Sequence, residues 1–200
     1  MNKRKVIGTI IGVIVFGALV VGATFAWFSY GITFNNATYN FTSRNFSIVY
    51  NHGSDITGAN IYGETPTIND FTGPTDGRVD ITASTVANSL NGTMEIYLFI
   101  NSSAPSQILT SGAVEYAIVE EGSNYTISTT PYKGNIQTGT LTYIENQGYK
   151  KELATNLIVT STPRIYHVYI WIDGELIDET FPNETSFSGY IGATAVQVHQ

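Results

Sequence analysis

Cysteine is absent from the chain. No disulfide can staple the fold and no lipid can be attached through a thioether, so the domain must hold together by packing alone. Charge is scarce as well. Asp, Glu, Lys and Arg make up 12% of the 200 residues, about half of the ~25% usual in soluble proteins. The little basic charge is unevenly placed. Three of the nine Lys and Arg residues (Lys3, Arg4 and Lys5) lie at the very start, and all sixteen acidic residues lie well beyond them. Past residue 28, six bases therefore face sixteen acids, a net charge of −10. A surface of that sign repels phosphate backbones, which argues against nucleic acid as a partner.

The usual signatures of catalysis are also missing. There are three histidines, His52, His167 and His199, and no HExxH, G-x-S-x-G or P-loop motif. A hydrolytic zinc site draws on two or three His and a carboxylate. His167 stands in an aromatic run and reads as a packed side chain, while His199 falls in the tail. Asp173, Glu175, Asp178 and Glu179 gather acids around one turn, but without the spacing of a calcium loop, so they read as a solvated turn. The expectation is a protein that is not an enzyme and uses no cofactor and no metal.

What is present begins with a long apolar run. No charged residue lies between Val6 and Phe28. As a helix this stretch would span about 34 Å, enough to cross a bilayer. The basic cluster before it holds the N-terminus in the cytoplasm and sends the rest outside. Residues 1–28 are thus expected to be a signal peptide or a single-pass transmembrane helix, and residues 29–200 an extracellular domain. As a signal peptide, the segment would be cut between Ala26 and Trp27, with Thr24 and Ala26 at the small-residue positions, or after Ala23, with Val21 and Ala23 there. As an anchor, it would tie the protein to the membrane.

Beyond the leader the pattern is that of strands. Met94 to Ile100 and Ile165 to Ile172 are rich in β-branched and aromatic residues. The second run puts Tyr166, Val168, Ile170 and Ile172 on one face and Ile165, His167, Tyr169 and Trp171 on the other. Both faces are largely apolar, as in a central strand covered on two sides. Asp173-Gly174 then predicts a tight turn, with Glu175 to Glu179 returning as a short strand. Further strands are expected over Tyr39–Asn51, Val79–Ser84, Val114–Val119, Tyr125–Thr129, Thr140–Ile144, Leu153–Thr160 and Tyr190–Val198. Turn chemistry separates them at Asn51–Ser54, Gly73–Gly77, Ala104–Ser106, Pro131–Asn135 and Thr162-Pro163. Asn51 to Asp76 is polar and weakly patterned and reads as one mobile excursion loop. The fold class that follows is all-β: an Ig-like or jelly-roll β-sandwich preceded by one N-terminal hydrophobic helix. Asn, Thr, Ser, Gly and Tyr stand where charges would usually be, which suits a domain that packs against copies of itself or coats a cell. Seven Asn-x-Ser/Thr sequons, from Asn36 to Asn183, would be surface acceptors in a glycosylating organism.

The junction Ala23-Thr24-Phe25-Ala26-Trp27-Phe28-Ser29 resembles the leader end of the camelysin/TasA family, which reads A-T-F-A-Y-F-S-D. The stretch Asn36 to Ile48 is similar to that family's opening strand. The resemblance is confined mainly to the first quarter of the chain, and Tyr30 and Thr42-Ser43-Arg44 depart from it. It implies an exported jelly-roll-like sandwich. Some family members polymerise into matrix fibres of the biofilm, the first strand of one subunit completing the sheet of the next. The metalloprotease activity described for camelysin is not carried over, because the His/Glu constellation is missing. The expected function is a non-catalytic cell-surface or extracellular structural protein, a self-assembling matrix-fibre or adhesive subunit. Strand donation would use Ile32, Phe34, Tyr39, Phe41 and Phe46, and the partners would be the membrane and other copies of the chain. The alternative is a membrane-anchored extracellular binding module for a glycan or peptide.

Overall fold

The structure is a computed structural model and describes residues 32–35, 39–42, 47–52, 64–86, 90–100, 107–137, 141–144, 148–177 and 189–197. The predicted N-terminal helix, with Ala26 and Trp27, lies outside the described residues. Among the described residues no helix is long and apolar enough to cross a membrane.

The described chain is all-β, in two antiparallel sheets. The strands are β1 (Ile32–Asn35), β2 (Tyr39–Thr42), β3 (Ser47–His52), β4 (Arg78–Thr85), β5 (Gly92–Ile100), β6 (Val114–Glu120), β7 (Tyr132–Asn135), β8 (Thr142–Ile144), β9 (Gly148–Val159), β10 (Arg164–Ile172) and β11 (Gly189–Gln197). A one-turn helix, α1 (Gln107–Ser111), precedes β6. One sheet runs β1-β11-β5-β9-β8 and the other β2-β3-β4-β10-β6-β7. The chain repeatedly crosses from one sheet to the other, so each sheet is assembled from distant parts of the sequence.

The period-2 alternation explains why the sheets close on each other. In β5, Met94, Ile96, Leu98 and Ile100 point inward. In β10, Tyr166, Val168, Ile170 and Ile172 do the same, and all eight belong to one core with Val79, Ile81, Val114 and Ile118. At ~25 cal/mol per Å2 of apolar surface, this shared core is the main force holding a disulfide-free domain together. β10 lies between β4 and β6, and its outer face is buried too. There Tyr169 and Trp171 pack with Phe71, Ala117, Val119 and Ile127 in a second, smaller core.

Four expectations are overturned around this face. The excursion after Asn51 is not loose along its described end. Residues 64–77 form two short 3-10 helices, Ile68–Asp70 and Pro74–Asp76, and drop Phe71 onto Tyr169 at a ring separation of 4.8 Å. Tyr125–Thr129 is not a strand. It belongs to a turn between β6 and β7 that buries Ile127 and ties Thr130 to the Ile118 carbonyl. Pro131–Asn135 is not merely a turn, because Tyr132–Asn135 pairs with β6 as the edge strand β7. The predicted return strand Glu175–Glu179 is also replaced over its described part, Asp178 and Glu179 lying outside the described residues. Asp173 Oδ1 accepts the Glu175 N–H at 2.9 Å and caps a 3-10 helix at Gly174–Leu176. An Asx cap satisfies the backbone locally, so a hairpin is not required.

The ladder between β9 and β5 is irregular. The register shifts twice around Ile96, and Asn156 takes a positive φ of 59°. Asn tolerates this better than other non-glycine residues, as a bulge requires. Close backbone approach fixes a different position. A Cβ on Gly189 would lie 2.5 Å from the Phe99 carbonyl oxygen. Gly189→Ala should therefore push β11 off β5 and cost about 1–3 kcal/mol. A chemical melt with an unchanged midpoint would refute that reading.

Candidate functional site: a sheet edge and an outer-face cleft

The residues expected to take part in strand donation are split by the fold. Ile32 and Phe34 lie on β1, which pairs with β11 of the same chain in the register Ile32↔Ala195 to Asn35↔Gly192. Tyr39 and Phe41 lie on β2, a hairpin partner of β3 at the edge of the other sheet. Phe46 lies outside the described residues. The structure thus does not bring the five onto one strand. Among the described residues it places β1 at the edge of one sheet and β2 at the edge of the other, three residues apart in sequence. β1 covers only Gly192–Ala195 of the nine-residue β11. A four-residue edge strand contributes few backbone hydrogen bonds and, like the three-residue β8 at the opposite edge, is among the cheaper elements of the sheet to displace.

The outer face of the second sheet carries the chemistry. Next to β7 a cleft of about 230 Å3 opens beside the small core. Trp171 and Ile127 give it apolar walls, and Glu115, Lys133, Thr65 and Ser128 give it polar ones. Glu115 is on β6 and its side chain alternates outward from the inward Val114 and Tyr116. Lys133 is on β7 and donates to the Ser128 carbonyl at 2.5 Å. Gly134 keeps the wall thin, since a Cβ there would sit 3.3 Å from the Tyr116 ring. Trp171 is only 3% exposed, and its buried Nε1 meets no acceptor at full hydrogen-bonding geometry, with the Glu115 carboxyl of the facing residue as its nearby partner.

Burial pushes the Glu115 carboxyl above its ordinary value of 4.5, and the nearby Asp173 charge adds to the rise. The Trp171 indole and the Lys133 charge oppose it without cancelling it. Above the folded value, Glu115 is charged in a setting that disfavours charge, so it lowers stability. Below 4.5 both folded and unfolded chains hold it protonated, and the penalty vanishes. Glu115→Gln should accordingly raise the melting temperature at neutral pH, with the gain fading as pH falls through and below 4.5. An equal gain at both ends of that range would contradict this assignment.

Further along the same face, Arg78, Asp80 and His167 form a charged cluster between β4 and β10. Arg78 meets Asp80 through two contacts of 2.8 and 3.0 Å, and His167 Nδ1 lies 2.7 Å from Asp80 Oδ1. Burial pushes the Asp80 carboxyl up, but the Arg78 and His167 hydrogen bonds outweigh it and hold the carboxyl below 3.8. His167 is thus held by its contact with Asp80 beside Tyr169, 6.2 Å from its ring. Among the described residues no three His, Cys, Asp or Glu side chains gather to hold a metal ion. On the outside of the first sheet, Phe99 stacks on Tyr190 at 4.9 Å and Lys150 Nζ sits 3.4 Å above the Tyr97 ring. These contacts close that face on itself.

Sequence reasoning missed the cleft. Its walls come from three separate stretches, around residues 65, 115–134 and 171, and no linear motif links them. The one available signal was the outward alternation of Glu115 and Trp171 on strands with mostly apolar outer faces. Comparison with family models, with curated proteins and with solved structures gives no match.

Proposed function

We propose that the chain is a non-catalytic structural protein of the cell surface or extracellular matrix, a fibre or adhesive subunit that assembles by exchanging β1. In this reading residues 1–28 export or anchor the domain, and the two sheets are a jelly-roll-like or Ig-like sandwich. One observation carries the proposal: the first described strand after the apolar segment is a short edge strand held by β11. Three residues, 36–38, join it to β2. Release of β1 from its own β11 leaves the β2–β3 hairpin in place. The vacated edge then accepts β1 from a second copy, with the same backbone hydrogen bonds. Each subunit gives one strand and receives one, so the contact is head-to-tail and need not close into a ring.

The test is the size of the exported protein as its concentration rises. Light scattering should show open-ended growth rather than a limiting dimer. A mass that stays monomeric throughout would remove the fibre reading. The second reading, a membrane-anchored binding module for a glycan or peptide, is favoured by the cleft at Trp171.

A further inference from the structure

We infer that the cleft beside Trp171 holds a single neutral hexose ring, presented as a free sugar or as the end of a glycan. The inference rests on the binding-module reading and not on strand exchange, since a monomer has the same cleft.

Size comes first. At about 230 Å3 the space is smaller than the roughly 300 Å3 at which sites for drug-sized ligands begin, so it admits one small ring. Charge comes next. The Glu115 carboxylate and the nearby Asp173 disfavour an anion, and the Lys133 ammonium disfavours a cation. A neutral ligand escapes both penalties. Hydrogen bonding then narrows the class. Glu115 offers an acceptor, Lys133 a donor, and Thr65 and Ser128 offer hydroxyls that do either. So many polar groups around so small a space call for a ligand with several hydroxyls. The C–H face of a pyranose ring suits the apolar wall made by Ile127 and the indole. The buried Trp171 Nε1 supplies the independent sign of a ligand. It finds no acceptor at full hydrogen-bonding geometry in the wall of the cleft, only the Glu115 carboxyl close by across the ladder, and a sugar hydroxyl bridging the two is an acceptor of the right kind. The expected binding is weak, with Kd of about 1 mM, because one ring makes few contacts.

The experiment follows the Trp171 indole N–H resonance in the exported chain carrying Trp27→Phe, which leaves a single indole signal. D-glucose, D-galactose, D-mannose and N-acetyl-D-glucosamine are titrated separately, with sodium phosphate and a Gly-Ser-Gly peptide as contrasting probes. At least one sugar should move the resonance saturably and slow its exchange with solvent, while phosphate and peptide should not. Lys133→Ala should weaken that binding about tenfold, as loss of a charge-assisted hydrogen bond does. Glu115→Gln should weaken it about fivefold while the protein stays folded. The proposal is overturned if no sugar moves the resonance, if only phosphate or peptide moves it, or if both variants bind as the parent does. Strand exchange is read separately, from the mass of the same samples, so failure of one leaves the other in place.

Discussion

Trp171→Ala should destabilise the domain by about 3–5 kcal/mol, at the lower end of that range. The side chain is almost fully buried on the outer face of β10 and packs edge-on against Phe71 at 6.3 Å. Its loss removes the centre of the small core and loosens the hold on Phe71 and Ile127. The side chain also borders the open cleft, so water can enter the space it leaves, which limits the cost. For a domain of this size each kcal/mol moves the melting temperature by about 2–4 °C, so a fall of roughly 10 °C is expected. Tyr169→Phe is the contrasting substitution. Its hydroxyl is buried without a partner, and removing it should leave stability unchanged or slightly raised. If Trp171→Ala melts with the parent, residues 64–77 do not seal that face.

The second large effect concerns assembly. Deleting residues 27–47 should abolish polymerisation and leave a chain that captures a synthetic peptide of that sequence. The deletion removes β1 and β2 and opens β11 on the side where β1 lies. β3 keeps its pairing with β4 in the register Ile48↔Thr85 to His52↔Ile81, so the second sheet retains a paired edge. The peptide carries Ile32 to Asn35 and can restore the β11 ladder by strand addition. Capture should depend on that short run. A peptide with Thr33→Pro loses a backbone donor and the freedom to extend, and should not bind. Should the truncated protein still polymerise, some other surface drives assembly.

How much of this was legible in the sequence depended on the element. β10 could be read almost residue by residue, because both of its faces are apolar and strict alternation leaves one arrangement for them. β5, β6 and β11 could be read for the same reason. Residues whose burial does not depend on alternation were misread. Ile127 is buried from a turn and Phe71 from a polar segment, so each is a lone anchor without a period. β7 was hidden because Pro131, Gly134 and Asn135 are turn formers, which an exposed edge strand tolerates. Asp173-Gly174 marked a turn correctly but not its kind, since the Asp173 side chain completes a cap that the dipeptide alone does not reveal. The cleft was beyond reach for a topological reason: β10 separates β6 from β4, and only the folded sheet brings Trp171 next to Glu115, its partner across the ladder.

Strand exchange can be read most directly by a covalent bond across the β1–β11 ladder. Thr33 and Thr194 are direct partners in that register, and the chain has no cysteine of its own to interfere. Facing residues of antiparallel strands lie at Cα separations of about 4.5–5.5 Å, within reach of a disulfide. The Thr33→Cys, Thr194→Cys protein is oxidised at high concentration and resolved without reductant. If β1 is exchanged between copies, the bond links neighbours and a ladder of covalent multimers appears, collapsing to one band on reduction. A single monomeric band, with its disulfide formed inside each chain at every concentration, would contradict assembly by strand exchange.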